Sequence, residues 1–337
     1  MSSKKHTYKD TLQLIAEILS FESSNESLRK KLDSGTIDWN KFVEISSNQL
    51  VLTTCYCRLE QKQLVSSIPD DLTLYIKELT SINRNRNLKI IKEVKIIAAI
   101  FSKNNISYSL LKGTAMLVGN YYDDFGERMV GDIDILVSDD QIEDAFNLLK
   151  EANYTSLIEF NYNNKNFRHL PRQINPDKIA AVELHKTVLN ANYKNLINEK
   201  ELLLNSLEKD KIRIPNNYFL NLCNILTSQV NGNAYRFKQW YFKNLYDSLA
   251  LKLTKKSNLP NNKYVDDYLS KFQAIFSHIN HTKKAKRYLF RIKHYRFHKF
   301  SFKLNFIYHN LENRIWLMIY NKSYRSHVFK NKFLKKR

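Results

Sequence analysis

The sequence predicts an α+β fold, a small mixed sheet flanked by helices and set between helical N- and C-terminal regions. Three observations predict it. The apolar period is helical as far as Phe101, changes to short alternating runs between Ile106 and His185, and is helical again from about Leu189. Four of the chain's six glycines, Gly113, Gly119, Gly126 and Gly131, fall within the alternating part. Two of the alternating runs carry acidic side chains on one face and aliphatic ones on the other.

Each element follows in order. Leu12, Ile15, Ala16 and Leu19 make a helical stripe, and residues 9–85 read as helices that end in the polar run Asn83–Asn87, expected to be a connector. Ile90, Val94, Ile97 and Phe101 mark the next helix. Ile106–Leu111 is a strand, broken by Lys112, Gly113 and Thr114, after which Ala115–Val118 starts a helix. Asp132–Val137 is the second strand, and Ser138 with Gln141 has the spacing of a capping box before a helix with Ile142, Ala145, Phe146 and Leu149 inside. Tyr154–Phe160, Phe167–Leu170 and Ile179–His185 read as further strands, with Pro171 and Pro176 bracketing a loop. Helical signal then runs through Leu202–Leu204, Tyr218–Leu226 and an aromatic-rich helix, Tyr235–Leu253. The expected units are 1–85, 86–190, 191–280 and a basic, aromatic-rich segment 281–337.

A hydrophobic fraction of 43% supports a packed core, and six Gly with five Pro exclude collagen-like and linker classes. The net charge of +21 is concentrated at one end: residues 281–337 hold 17 Lys/Arg and one acid, Glu312, leaving +5 for the first 280 residues. Such an end suits an anionic partner, either RNA or another polyanion meeting the run Arg291–Phe300, or an anionic membrane surface. Cys55, Cys57 and Cys223 have no metal spacing and read as buried reduced thiols of a cytoplasmic protein. Residues 1–10 are polar and do not resemble a signal peptide, and no apolar run is long enough to span a membrane.

The chemistry concentrates on three acids. Asp132 and Asp134 are two apart on a strand, so both carboxylates project from one face, about 7 Å apart. Acids held that close call for a cation, and Mg²⁺ or Mn²⁺ together with substrate phosphates is the natural one. Glu183 supplies a third acid, with His185 on the same strand face as an accessory. Lys112, Gly113 and Thr114 stand at a strand-to-helix turn where backbone N–H groups and a hydroxyl can meet a phosphate. Arg128 could neutralise triphosphate charge, and Gly131 is expected to let the backbone crowd the metal site.

The runs Leu110–Ala115 and Arg128–Val137, followed by Glu183-Leu184-His185, resemble the bacterial uncharacterised nucleotidyltransferases of the DNA-polymerase-β-like superfamily. The resemblance covers roughly residues 86–190. It implies that Asp132, Asp134 and Glu183 hold the metals and that Gly113 and Thr114 contact nucleotide phosphates, with ATP the expected nucleotide. It further implies transfer of a nucleoside monophosphate to a hydroxyl of RNA, protein, a small molecule or a glycan precursor. The alternative is a catalytically silent or antitoxin-like protein of the same fold, binding nucleic acid or a protein partner. Oligomeric state is left open.

Overall fold

The computed structural model describes residues 7–157, 167–253, 258–276 and 295–332. Helices α1 (Tyr8–Leu19), α2 (Asn25–Leu32), α3 (Trp39–Asn48) and α4 (Leu52–Gln61) form the N-terminal layer. Thr7 and Asp10 close a capping box on α1, and Ser24 and Asp38 cap α2 and α3. The α1 stripe Leu12, Ile15, Ala16 and Leu19 is buried, as are all three cysteine thiols.

Helix α5 (Asp70–Lys103) corrects the expected connector, since it runs unbroken through Asn83–Asn87 and across the boundary placed at residue 85. Its buried face is Ile76, Thr80, Asn83, Asn87, Ile90, Val94, Ile97 and Phe101, alternating steps of four and three, so the helical stripe continues through the polar run. The two asparagines are buried because they have partners in the loop before the second strand. Asn83 Nδ2 donates to the carbonyls of Gly126 (2.8 Å) and Arg128 (3.2 Å), and Asn87 Nδ2 to those of Phe125 and Arg128 (both 2.7 Å). Arg84 pairs with Asp124 at 2.8 Å, and Arg86 Nη2 donates to the Gly131 carbonyl at 2.9 Å. Gly126 lies so close to this helix that a Cβ there would come within 2.7 Å of Thr80 Cγ2.

The sheet is mixed. Strands β1 (Tyr108–Leu110), β2 (Asp132–Val137), β3 (Thr155–Ser156), β4 (Gln173–Ile174) and β5 (Ala181–His185) run in the order β1-β2-β5-β4-β3. Only β2 and β5 are parallel. Ile133, Ile135, Val137, Val182 and Leu184 are buried. Helices α6 (Lys112–Val118) and α7 (Ile142–Glu151) follow β1 and β2. The expected capping box on α7 is absent. Gln141 Oε1 instead accepts from Ser107 N (2.7 Å) and Ser138 Oγ (2.9 Å), tying the helix start to the approach of β1. Of the expected strand Tyr154–Phe160, Thr155–Ser156 joins the sheet and residues 158–160 lie outside the described residues. Phe167–Leu170 contributes a single bridge, His169 to His185.

Beyond the sheet, α8 (Glu199–Leu204) leads into a hairpin of β6 (Leu207–Lys209) and β7 (Ile212–Ile214) within a stretch expected to be helical. Its two loop residues, Asp210 (φ +50°) and Lys211 (φ +64°), take left-handed conformations that Asn-Gly usually advertises. Ile212 and Ile214 are buried, and β7 packs beside β1. Helix α9 (Asn217–Leu226) ends in a π-helical turn, Thr227–Asn231. The expected single helix Tyr235–Leu253 is two, α10 (Ala234–Phe237) and α11 (Phe242–Ala250), parted where Lys238 turns left-handed at φ +54°. Helices α12 (Lys263–Phe276), α13 (Tyr295–Tyr320) and α14 (Lys322–Lys332) complete the described chain. Residues 291–294 of the basic run Arg291–Phe300 lie outside it.

One buried ion pair joins the glycine loop to the C-terminal helices. Arg128 Nε donates to Asp247 Oδ1 at 2.9 Å and Nη2 to Oδ2 at 3.0 Å, while the Tyr122 hydroxyl donates to Oδ1 at 2.8 Å. Removing one partner strands the other charge in the core. Asp247→Ala is therefore expected to lower unfolding free energy by about 3–5 kcal/mol in urea denaturation, and Arg128→Met with Asp247→Leu together to cost less than that single change.

Candidate functional site

The parallel register of β2 and β5 builds the site. It sets Asp132 opposite Ala181, Asp134 opposite Glu183 and Leu136 opposite His185. Side chains at matched positions on adjacent strands share a face, so two carboxylates meet beside each other on a rigid sheet. His185 is two residues beyond Glu183 on the same face, with its Nε2 2.9 Å from Asp134 Oδ1 and 3.3 Å from Glu183 Oε2. Its other ring nitrogen is buried without a hydrogen-bond partner among the described residues.

Cations hold these acids together. Lys112 adopts φ +53° at the turn after β1, and its Nζ reaches Asp134 Oδ1 at 2.5 Å. Arg172 Nε donates to Glu183 Oε1 at 2.6 Å, and its Nη2 lies 3.5 Å from Asp132 Oδ2. His169 Nε2 is 3.6 Å from Glu183 Oε2. Burial would by itself raise the Asp134 carboxyl, but Lys112 and His185 outweigh it and hold the group well below the usual carboxylate range. Asp132 goes the other way. Its burial, with Glu183 and Asp134 nearby, outweighs Arg172 and raises its carboxyl.

Asp134, Glu183 and His185 each offer one ligand atom, and these atoms all lie within 4.8 Å of one another. Two carboxylate oxygens and an imidazole nitrogen suit a divalent cation, and they converge where side-chain cations already gather. The compact trio thus includes His185 in the place expected for Asp132, which stands half-exposed at its mouth.

The family described as uncharacterised nucleotidyltransferase matches residues 35–227, more than half of the chain. The chain belongs to this nucleotidyltransferase family. No curated protein matches it.

In this chain the glycine turn differs from expectation. Thr114 is fully buried and its hydroxyl donates to the Asp132 carbonyl at 3.1 Å, so it fixes the first acid of β2 and does not face a phosphate. Gly113 is buried too, and a Cβ there would meet Val130 Cγ2 at 3.0 Å; its smallness lets the glycine loop pass close to the turn. A Cβ on Gly131 would meet nothing within 4 Å, so no crowding requires glycine there.

Beside the acids lies a cleft of about 480 Å³ whose wall includes Lys112, Arg128, Arg168 and Lys243 together with the π-helical turn. Arg128 lines it with its guanidinium already engaged by Asp247, which lines the same cleft, and by the Met129 carbonyl at 2.5 Å. Lys243 has no counterpart in the sequence reading. It stands one residue into α11, a helix whose distance along the chain from the D-x-D strand hides the connection. Burial, reinforced by the Arg128 charge and opposed by Asp247 and Asp134, pushes its ammonium down to about 8. Arg172, in the loop expected only as a proline-bracketed connection, and His169, in the run Phe167–Leu170 expected only as a strand, are likewise invisible as site residues without the fold.

Burial favours loss of the Lys243 proton as pH rises through about 8, and a phosphate group bound beside it would favour the protonated form. Nucleotide affinity is therefore expected to weaken as pH rises through about 8. Lys243→Met should remove that inflection and lower affinity at pH 7 by about ten-fold or more, as read by equilibrium binding of labelled nucleotide.

Proposed function

We propose that the protein transfers a nucleoside monophosphate from a nucleoside triphosphate to an acceptor hydroxyl. The observation that carries this reading is the convergence of Asp134, Glu183 and His185, with Asp132 at the mouth, beside a cleft lined by basic side chains. Membership of a nucleotidyltransferase family supports it.

The chain's own residues divide the work between them. Lys112 and Lys243 would grip the triphosphate, with Arg168 adding positive potential from the cleft wall. Asp134, Glu183 and His185 would hold a divalent cation, Mg²⁺ or Mn²⁺, with Asp132 completing the ligand set from the strand's first position. That cation supplies Lewis-acid stabilisation of charge on the phosphates when bound. Asp132, half-exposed at the mouth, would accept the proton of the incoming hydroxyl. The acceptor oxygen bonds to the α-phosphorus, the bond between the α-phosphorus and its bridging oxygen breaks, and pyrophosphate leaves. Catalysis in this scheme is positioning and electrostatics on a rigid sheet, with no covalent intermediate.

Lys112 has a second part. Its ammonium sits on Asp134 where a cation would compete for the same oxygen. Nucleotide phosphates in the cleft give it another partner, so phosphate binding and cation binding favour each other.

The test is incubation of the purified chain with each labelled nucleoside triphosphate, Mg²⁺ or Mn²⁺, and RNA, protein or glycan acceptors. Label is expected to move to one acceptor class, to stop on chelation of the metal, and to fall about a thousand-fold or more in Asp132→Ala and Asp134→Asn. Undiminished transfer in those variants, or no transfer from any nucleotide, would overturn the proposal.

A further inference from the structure

Helix α13 carries a feature that nucleotidyl transfer does not use. Leu304, Ile307, Tyr308, Leu311, Ile315, Met318 and Ile319 follow the spacing i, i+3, i+4, i+7, i+11, i+14, i+15, which places them on one stripe of an α-helix about 120° wide. Every one is between 41% and 64% exposed. Globular helices bury such a stripe. Here the helix meets the body on other faces, where Phe237 of α10 packs on Phe306 and His309 and Arg236 pairs with Glu312 at 2.6 Å beside the stripe. The aliphatic face is therefore turned outward.

The charges around it select the occupant. Lys303 and Arg314 flank the stripe on one side, and both are exposed. Residues 281–337 hold 17 Lys/Arg against the single acid Glu312, which is itself engaged by Arg236. A second copy of this face would bring two strongly cationic segments together. Nucleic acid would meet the cations but leave Leu, Ile and Met in water, since aliphatic side chains offer bases no stacking surface. A bilayer with anionic headgroups takes both parts, apolar side chains at the acyl boundary and cations at the phosphates. Tyr308, in the stripe itself and 64% exposed, is of a residue type enriched at that depth. No helix among the described residues is long and apolar enough to cross a membrane, so the geometry is that of a helix lying in the interface, about 39 Å long at 26 residues.

We propose that α13 docks the protein on an anionic membrane surface through the stripe Leu304–Ile319 and the cations beside it. The test is flotation of the full chain with vesicles of phosphatidylcholine, alone or mixed with phosphatidylserine. The chain is expected to float with the phosphatidylserine vesicles and to be released by salt. Leu311→Glu with Ile315→Glu should lower that partition by about ten-fold or more, while the unfolding temperature stays unchanged because both side chains are exposed. Absence of partition, or equal partition of the double variant, would overturn the proposal. So would salt-sensitive RNA binding that the double variant retains while vesicles are ignored, or a dimer in sedimentation velocity that the double variant dissociates.

Discussion

The parallel pairing of β2 with β5 in the register that sets Asp134 against Glu183 is the constraint on which the rest depends. Two carboxylates on adjacent strands of a buried sheet repel strongly in a medium that screens poorly. The surroundings answer that repulsion with Lys112, Arg172 and His185, each within 3.3 Å of one of the two acids. Lys112 reaches its partner through a left-handed backbone, a conformation that is costly for a lysine and common where a site over-determines its residues.

That register must be delivered by a loop with no regular structure of its own. Residues 123–131 are held from three sides: by the asparagines and arginines of α5, by Thr53 and Thr54 of α4 on the Glu127 carbonyl at 3.2 and 2.6 Å, and by Asp247 of α11 on Arg128. The helical regions before and after the sheet are thus parts of the site's support, and the first acid of β2 is further pinned by Thr114. A site built this way can hold its ligands at fixed separation without a lid or a disulfide.

The sequence was legible where period and chemistry coincided. The alternation of Asp132–Val137 and Ala181–His185 marked both strands and the faces of Asp132, Asp134, Glu183 and His185, because a strand's two-residue period leaves little freedom. It was misleading where polar residues were buried with partners distant in sequence. Asn83 and Asn87 have the composition of a connector and the positions of a helix core, and only the loop carbonyls they satisfy explain them. The hairpin after α8 escaped because Asp210 and Lys211 adopt left-handed turns without the usual glycine. Thr114 and Arg128 were recognisable by type as phosphate ligands. The fold instead spends the first on a carbonyl and the second on Asp247. Lys243 and Arg172 reach the site only through tertiary packing, which no local pattern records.

Whether the β2–β5 acids form a cation site is read by Mn²⁺ titration followed by electron paramagnetic resonance. A protein-bound Mn²⁺ population is expected, and Asp134→Asn and Glu183→Gln should each weaken it by at least about ten-fold, since both variants keep side-chain shape and remove a ligand charge. Mn²⁺ binding of equal strength in the native chain and both variants would contradict it.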